Sequence, residues 1–347
     1  MARERIVSGD SQRADRETAS DAPKSTTPSE NAVAPAVRPR TISEYVGQSA
    51  LLERLSIAIE AVKERDDSLE HLLLHGPPGL GKTTLAHVVA EEMGTRAWVT
   101  SGPALTKAAD LVGTLTRLGP GDILFIDEIH RLPAAVEEYI YPAMEDFKVD
   151  FTVDSGMHAK VISLSLKPFT LIGATTRAGM LTQPLRARFG ITHHLEYYPR
   201  EDLLSILVRA AERIGIDAVA DDGFHAIAGR SRGTPRVALR LLRRVRDFAQ
   251  VRGNGVVDAG AVNAALELEG VDELGLDEID RKYLRVLAEV YEGGPAGLEA
   301  VAATMGDDAG TLEDVVEPYL LQIGFLARTP RGRKLTSAGS NWVVDHS

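Results

Sequence analysis

Cysteine is missing altogether from the 347 residues, which excludes disulfides and any thiolate-held metal. No apolar run approaches the ~20 residues that a membrane-spanning helix needs, and the N-terminus lacks the apolar stretch of a secretory signal. Positive charge is in short supply: 39 Lys and Arg stand against 50 Asp and Glu, a formal charge of −11. A generally basic surface for coating nucleic acid is thereby excluded, whereas a local basic patch is not. With ordinary hydrophobic and charged contents of 44% and 26%, these absences suit a cytoplasmic protein without a membrane partner. The length allows roughly two to three domains of about 150 residues each.

Large aliphatic and aromatic side chains are also absent from Ser8 to Ala32. Such a stretch cannot offset its own ordering entropy, so a disordered tail is expected over 1–36, with structure beginning near Arg38-Pro39. Beyond it, apolar spacing predicts a helix over Leu51–Val62, a strand over His71–His75 and a helix over Thr83–Met93. Short apolar runs at Ile123–Ile126 and Phe169–Gly173 read as buried parallel strands. Alternating strands and helices predict an α/β domain with a parallel sheet over 37–198. Helices are predicted over Arg200–Ile214, Asp221–Gly229, Pro235–Val251 and Asp258–Leu268, a small helical domain over 199–270. A third unit, 271–340, holds helices through Val290 and around Leu312–Leu321, then a basic turn-rich stretch suggesting a winged helix. A short tail, 341–347, would follow.

Gly76-Pro77-Pro78-Gly79-Leu80-Gly81-Lys82-Thr83 matches the P-loop pattern between a predicted strand and a predicted helix. Gly79 and Gly81 let backbone N–H groups close around phosphates, Lys82 is expected on the β- and γ-phosphates, and the Thr83 hydroxyl on Mg²⁺. Thr84 joins this candidate ATP-binding set. The apolar run Leu124-Phe125-Ile126 ends in Asp127, suited to Mg²⁺, and Glu128, suited to polarising an attacking water. Gly173-Ala174-Thr175-Thr176-Arg177 ends another strand in hydroxyls, of which Thr175 or Thr176 could sense the γ-phosphate or simply cap the loop. Arg186 and Arg188 lie near a domain edge, where one could reach a neighbouring subunit's nucleotide or form a surface ion pair. Seven arginines fall between Arg230 and Arg246. Arg236, just after Pro235 at a helix start, is a candidate second sensor, and the others read as a solvated or subunit-facing helix surface. No acidic residue lies between Glu317 and Asp345, where Arg328, Arg331, Arg333 and Lys334 cluster; this patch is either a phosphate contact or a solvated loop.

Together these residues resemble the AAA+ ATPases, and within them the RuvB family of Holliday junction branch-migration motors. The resemblance is carried by Arg38-Pro39 with Glu44-Tyr45-Val46-Gly47-Gln48, Ile126-Asp127-Glu128-Ile129-His130-Arg131-Leu132, Gly173 to Gly179, and Gly233-Thr234-Pro235-Arg236. Gly275 to Tyr283 and Gly324-Phe325-Leu326 with Arg328 to Arg333 extend it, so that it covers about Val37 to Arg333. It implies an AAA+ ATPase domain with a hairpin insertion near 150–166, a helical lid and a C-terminal winged-helix DNA-binding domain. Val37, Arg38 and Tyr198 would contact nucleotide, as would Glu145-Asp146-Phe147. Arg188 would be the finger acting in trans, Arg236 the second sensor, and Arg328 and Arg333, with Arg331 beside them, would meet DNA. The implied assembly is a homohexamer around double-stranded DNA at Holliday junctions. RuvA would load it and the RuvC resolvase is a further candidate partner, in recombination, DNA repair and the SOS response. The chain departs from the family pattern at Asp154-Ser155-Gly156-Met157-His158 and Lys160, in the hairpin that docks RuvA, and at Asp307-Asp308-Ala309, where some members place a basic residue.

The expected activity is therefore ATP hydrolysis driving branch migration, with Lys82, Asp127, Glu128, Thr175 and Arg188 as the catalytic set. The alternative in another class is a nucleotide-switched clamp or helicase loader that binds DNA without translocating. A winged helix favours the motor, a collar domain the loader.

Overall fold

The computed structural model describes residues 37–65, 67–152, 161–216 and 218–346. The expected tail over 1–36 and the hairpin turn from Asp154 to Lys160 lie outside the described residues.

The first domain is built on a five-stranded parallel sheet. Its strands are β1 (Leu72–His75), β2 (Ala97–Ser101), β3 (Ile123–Asp127), β6 (Thr170–Thr175) and β7 (Ile191–His194), in the order β2-β3-β6-β1-β7. Alternate residues of the inner strands serve opposite faces, as the two-residue strand period requires. Leu72, Leu74, Ile123, Phe125, Ile172 and Ala174 pack with α1 (Ser49–Arg65) and α2 (Lys82–Met93). Leu73, Leu124, Ile126 and Leu171 face the other way, toward α3 (Ala108–Leu115) and α4 (Ala134–Glu145). With both faces covered, the inner strands read as unbroken apolar runs rather than as alternation. Strands β4 (Lys148–Thr152) and β5 (Val161–Ser165) form a separate antiparallel pair, with Val149 opposite Leu164. A short α5 (Gln183–Ala187), N-capped by Thr182, leads into β7.

Helices α6 (Arg200–Arg213), α7 (Asp221–Gly229), α8 (Pro235–Arg252) and α9 (Ala259–Leu268) form the second domain close to the expected bounds. Their apolar faces join the α1–α2 side of the sheet in one continuous core, in which Leu203, Leu207 and Leu241 share a cluster with Tyr45, Leu80 and Tyr198. The lid therefore cannot shift without repacking the entrance to the P-loop.

The third domain contains α10 (Glu278–Glu289), α11 (Leu298–Met305), the single turn α12 (Ala309–Thr311), α13 (Glu317–Gln322), a β8 (Leu326–Thr329)–β9 (Gly332–Leu335) wing and α14 (Ser337–Asp345). The continuous helix expected around Leu312–Leu321 is instead a π-helical turn, Leu312–Val316, followed by α13. Pro318 has no N–H for the i→i−4 ladder, and a wider turn ahead of it accommodates the missing donor. The chain expected to leave the fold after 340 continues through α14, because Trp342 and Val343 are buried in the core of this domain.

Phe125 is fully buried at the centre of the sheet. Phe125→Ala should cost about 3–5 kcal/mol by combined transfer and cavity effects, read as a lowered denaturant midpoint with an unchanged slope.

Candidate functional site

Inserting β6 between β1 and β3 brings three strand ends together. His75 pairs in register with Thr175, and Ile126 with Gly173, so the P-loop, the hydroxyl pair and the Asp127-Glu128 pair emerge side by side. A crevice at the carboxyl ends of parallel strands is where such sheets bind ligands. Here it is a cavity of about 320 Å³ between the P-loop, the N-terminal segment and lid helices α6 and α8.

The loop's shape depends on two glycines with positive φ. At Gly79 (φ +82°) an added Cβ would lie 2.7 Å from Thr234 Cγ2, and at Gly81 (φ +95°) 2.6 Å from Tyr45 Oη. Gly81 is the N-cap of α2 and offers no side-chain capping bond, so the first N–H groups of the helix are left for a ligand, a geometry suited to phosphate. Tyr198 Oη, 3.2 Å from both Tyr45 Oη and the Leu80 carbonyl, braces the loop from behind. Lys82, only 7% exposed, donates at 2.8 Å to the Gly76 and Pro77 carbonyls. Burial pushes its ammonium down to about 8, against the opposing pull of Asp127 and Glu128.

Asp127 Oδ1 accepts from the Glu128 N–H at 3.0 Å, and Glu128 takes a left-handed backbone (φ +49°) that turns its carboxylate into the cavity. Glu128 Oε2 is 3.3 Å from Thr176 Oγ1 and 3.3 Å from His130 Nδ1. His130 in turn lies 2.8 Å from Thr175 Oγ1, which accepts from the Arg177 N–H at 3.0 Å. Burial holds His130 below its usual range and therefore neutral near pH 7. The tautomer with a proton on Nδ1 serves both oxygens. Thr175, expected in the catalytic set, is fully buried and tied to His130, while Thr176 is the hydroxyl that lines the cavity. Strand alternation explains the difference, since successive side chains at the end of β6 point to opposite sides.

Val37, Arg38, Gly79, Gly81, Thr83 and Thr84 line the cavity, as do Tyr198 and Arg236. Arg236 is held close by its backbone N–H, 3.4 Å from the Gly79 carbonyl. Apolar side chains of the lid, Ile206, Ile214 and Leu239, line the cavity as well and suit a base. Arg209 donates to the Glu44 carbonyl and Arg213 to Glu44 Oε2 (2.8 Å), closing the lid on the N-terminal segment. These lid residues were recognisable only as an amphipathic helix. Thr83 and Asp127 both line the cavity, a hydroxyl and a carboxylate of the kind that would hold Mg²⁺ beside phosphate oxygens.

Glu145, Asp146, Phe147 and Arg188 do not line this cavity. Arg188 lies over the Tyr141 ring (4.3 Å), with its NH2 3.2 Å from Glu145 Oε1, its NH1 donating to the Pro184 carbonyl and its buried Nε unpaired. Arg188, Tyr141 and Glu145 form a separate basic–aromatic–acidic cluster, while Phe147 packs edge-on against Phe169.

In the wing, Arg331 is exposed at the turn and makes no ion pair among the described residues. Arg328 and Arg333 are less free than the bare charge pattern implied. Arg328 NH2 is 2.6 Å from Glu317 Oε2 and Arg333 Nε 2.8 Å from Glu317 Oε1, and that carboxylate is fully buried, with Tyr283 Oη donating to it at 2.8 Å. Arg328 keeps an exposed face, whereas Arg333 is largely covered. Asp308 caps the turn Ala309–Thr311 and Asp307 is 3.9 Å from Lys282, so the acidic pair has a structural use. Two arginines expected on a solvated or subunit-facing helix surface are paired instead: Arg230 reaches Asn263 within the lid and the Asp272 carbonyl, and Arg232 reaches the buried Asp280 of the third domain at 2.6 Å.

The P-loop, the strand-end carboxylate pair, the adjoining hydroxyl strand and a helical lid define a P-loop ATPase of the AAA+ class. Three family models match in sequence: the Holliday junction DNA helicase RuvB P-loop domain at 37–195, the RuvB AAA lid domain at 198–272 and the RuvB C-terminal winged helix domain at 273–343. The Holliday junction branch migration complex subunit RuvB of Ligilactobacillus salivarius is 55% identical over 304 residues, 87% of this chain and 90% of the relative. The Thermotoga maritima RuvB Holliday junction branch migration motor superposes with a TM-score of 0.81 at 48% identity, covering 89% of this chain and 98% of that one. A substituted variant of the same protein gives 0.82 at 48% identity over 88% and 98%. The chain belongs to the RuvB family. Among the described residues no helix is long and apolar enough to cross a membrane.

The displaced Lys82 ammonium has a consequence for pH. The charged form binds phosphate, so ATP affinity should fall as pH rises through about 8. Binding above that pH should take up a proton, because the polyphosphate draws the ammonium back toward its ordinary range. Nucleotide titrations in buffers of differing ionisation enthalpy would register both effects. Burial of the charged form opposes folding below about 8, a cost relieved as pH rises toward the unfolded-state value of about 10.4.

Proposed function

We infer that this chain is a cytoplasmic, ATP-hydrolysing DNA translocase that drives branch migration of Holliday junctions, working as a hexameric ring with RuvA. The reading rests above all on Lys82, Thr83, Asp127, Glu128 and Thr176 gathering around one cavity that is walled on another side by the lid. The third domain is a winged helix, which suits a motor tracking duplex DNA and gives no support to a clamp or helicase loader.

ATP would lie with its base against the apolar lid wall and its phosphates over the N-terminus of α2. Lys82 exchanges its bonds to the Gly76 and Pro77 carbonyls for the β- and γ-phosphate oxygens. Thr83 and Asp127 would hold Mg²⁺, which supplies charge neutralisation across those phosphates when bound. Glu128, kept in place by Thr176 and neutral His130, orients the attacking water, and Thr176 stands nearest the γ-phosphate. Hydrolysis by this route depends mainly on positioning and electrostatic stabilisation. Arg236, on the first turn of α8, registers loss of the γ-phosphate, and the lid moves as a unit because its core is continuous with the loop.

Arg188 with Glu145, Asp146 and Phe147 faces the neighbouring subunit's nucleotide. A finger in trans is worth about 10³–10⁵ in rate, which makes turnover a property of the ring. DNA is met by Arg331 at the wing tip and the exposed face of Arg328, while Arg333 chiefly neutralises Glu317.

Lys82→Ala should abolish nucleotide binding. Arg188→Ala should retain it in equilibrium titration yet lose ring-dependent hydrolysis, and normal turnover in that variant would rule out a finger. Arg331→Ala should weaken duplex binding and lower the log–log salt slope by about 1. Arg333→Ala should cost about 3 kcal/mol of stability by leaving Glu317 short of a partner, seen in denaturant melts. The decisive assay is ATP-dependent dissociation of a synthetic four-way junction, with and without the RuvA of the same source. Dissociation that requires both proteins and an intact Lys82 is the expected result; hydrolysis on bound DNA without dissociation would favour the loader.

A further inference from the structure

One side chain spans the gap between the catalytic carboxylate and the DNA-binding domain. Arg177 follows the cavity-lining Thr176 directly, and its backbone N–H closes the Thr175–His130–Glu128 circuit at 3.0 Å. Its guanidinium leaves the ATPase domain entirely. Nε and NH2 reach Asp314 Oδ1 at 3.1 and 2.6 Å, and NH2 reaches Glu313 Oε2 at 3.2 Å. Both carboxylates belong to the π-helical turn of the winged-helix domain.

Glu313 is shared. Its Oε2 faces Arg177, while its Oε1 is 3.4 Å from Arg333 NH2 and its carbonyl 3.5 Å from Arg328 NH2. One turn further on, buried Glu317 grips the same two wing arginines. The polar path therefore runs from Glu128 through Thr176 to Arg177, across to Glu313 and Asp314, and on to both strands of the wing. Nothing in the fold of either domain requires this arrangement: the sheet and the wing are each complete without Arg177. The π turn imposed ahead of Pro318 is what presents Glu313 and Asp314 together toward Arg177, and such turns are frequent at functional sites.

We propose that Arg177 is a positioning residue that couples DNA contact at the wing to the placement of Glu128. This rests on the motor reading above. Phosphate bound at Arg328 competes with Glu317 for that guanidinium, so Glu317 leans more on Arg333 and Arg333 gives up part of its hold on Glu313. The freed share of Glu313 shifts onto Arg177, and Arg177 moves the Thr175–Thr176 strand end that holds Glu128. No bond is made or broken in this step; it redistributes ion pairs, and by reciprocity the nucleotide state alters the wing's hold on DNA.

The test is ATP turnover by the full chain, with and without saturating duplex DNA, together with DNA affinity from fluorescence anisotropy. The first requirement is that the unaltered protein be stimulated by DNA; if it is not, the motor reading itself fails. Given stimulation, the double variant Glu313→Gln with Asp314→Asn should keep its DNA-free rate and its KM for ATP, and its DNA affinity should not fall, because a competitor for the wing arginines has been removed. It should lose DNA stimulation of kcat by about fivefold or more, the ordinary scale of coupling between sites. Arg177→Glu should lose it as well, and Arg177→Glu combined with Asp314→Lys should recover it, because only the pairing is restored. Stimulation that survives the double variant overturns the proposal and leaves the bridge as a docking contact. So does a parallel fall in the DNA-free rate, the mark of a purely structural role, and so does a charge swap that restores nothing.

Discussion

Every strand of a parallel sheet must point its carboxyl end the same way, and the site depends on that constraint. Because β6 lies between β1 and β3, the loop holding Lys82, the hydroxyls of Thr175 and Thr176 and the carboxylates of Asp127 and Glu128 emerge within one crevice. No single one of them would be informative alone. Their chemistry comes from shared desolvation, which lowers the Lys82 ammonium and keeps His130 neutral beside Glu128. A charge buried in this way responds strongly to a bound polyphosphate.

The same economy of buried charge organises the other end of the molecule. Glu317 is fully enclosed, so it must be neutralised locally, and the structure uses Arg328, Arg333 and the Tyr283 hydroxyl to do so. The surrounding negative charge of Glu313 and Asp314 then finds Arg177 across the domain boundary. Arg232 and buried Asp280 form a comparable lock between lid and winged helix. Such pairs add little net stability, since desolvation offsets most of the attraction, but breaking one is costly. They specify how three domains sit together, which greasy contacts alone would do less selectively.

The continuity of one apolar core through the sheet's α1–α2 face and the lid makes the nucleotide a mechanical element. Tyr45 and Tyr198 sit behind the P-loop within that core, and Arg236 and Ile206 project from the lid over the cavity. A change at the phosphates is thus felt by packed helices, and close-packed interiors transmit displacement rather than absorb it. Arg188 and Glu145, grouped on a different face, extend the same dependence outward to a neighbouring chain under the proposed assembly.

The sequence by itself determined the P-loop, the strand ending in Asp127-Glu128, the lid helices and the basic wing. Each is a local pattern: glycines where φ is positive, unbroken apolar runs where both sheet faces are covered, helical spacing where one face is buried. It also marked Arg236 and Tyr198, which the resemblance placed on nucleotide and which do line the cavity. Only the tertiary structure shows that Thr176 rather than Thr175 lines the cavity, because adjacent hydroxyls differ in nothing but the side of the strand they face. The partners of arginines were likewise beyond it. Arg177, Arg232 and Arg333 meet carboxylates between about sixteen and one hundred and forty residues away in the chain, and pairing at that separation depends on how whole domains pack. Local residue patterns carry backbone conformation and hydrophobic faces; the neutralisation of a buried charge is settled by whatever the completed fold brings beside it.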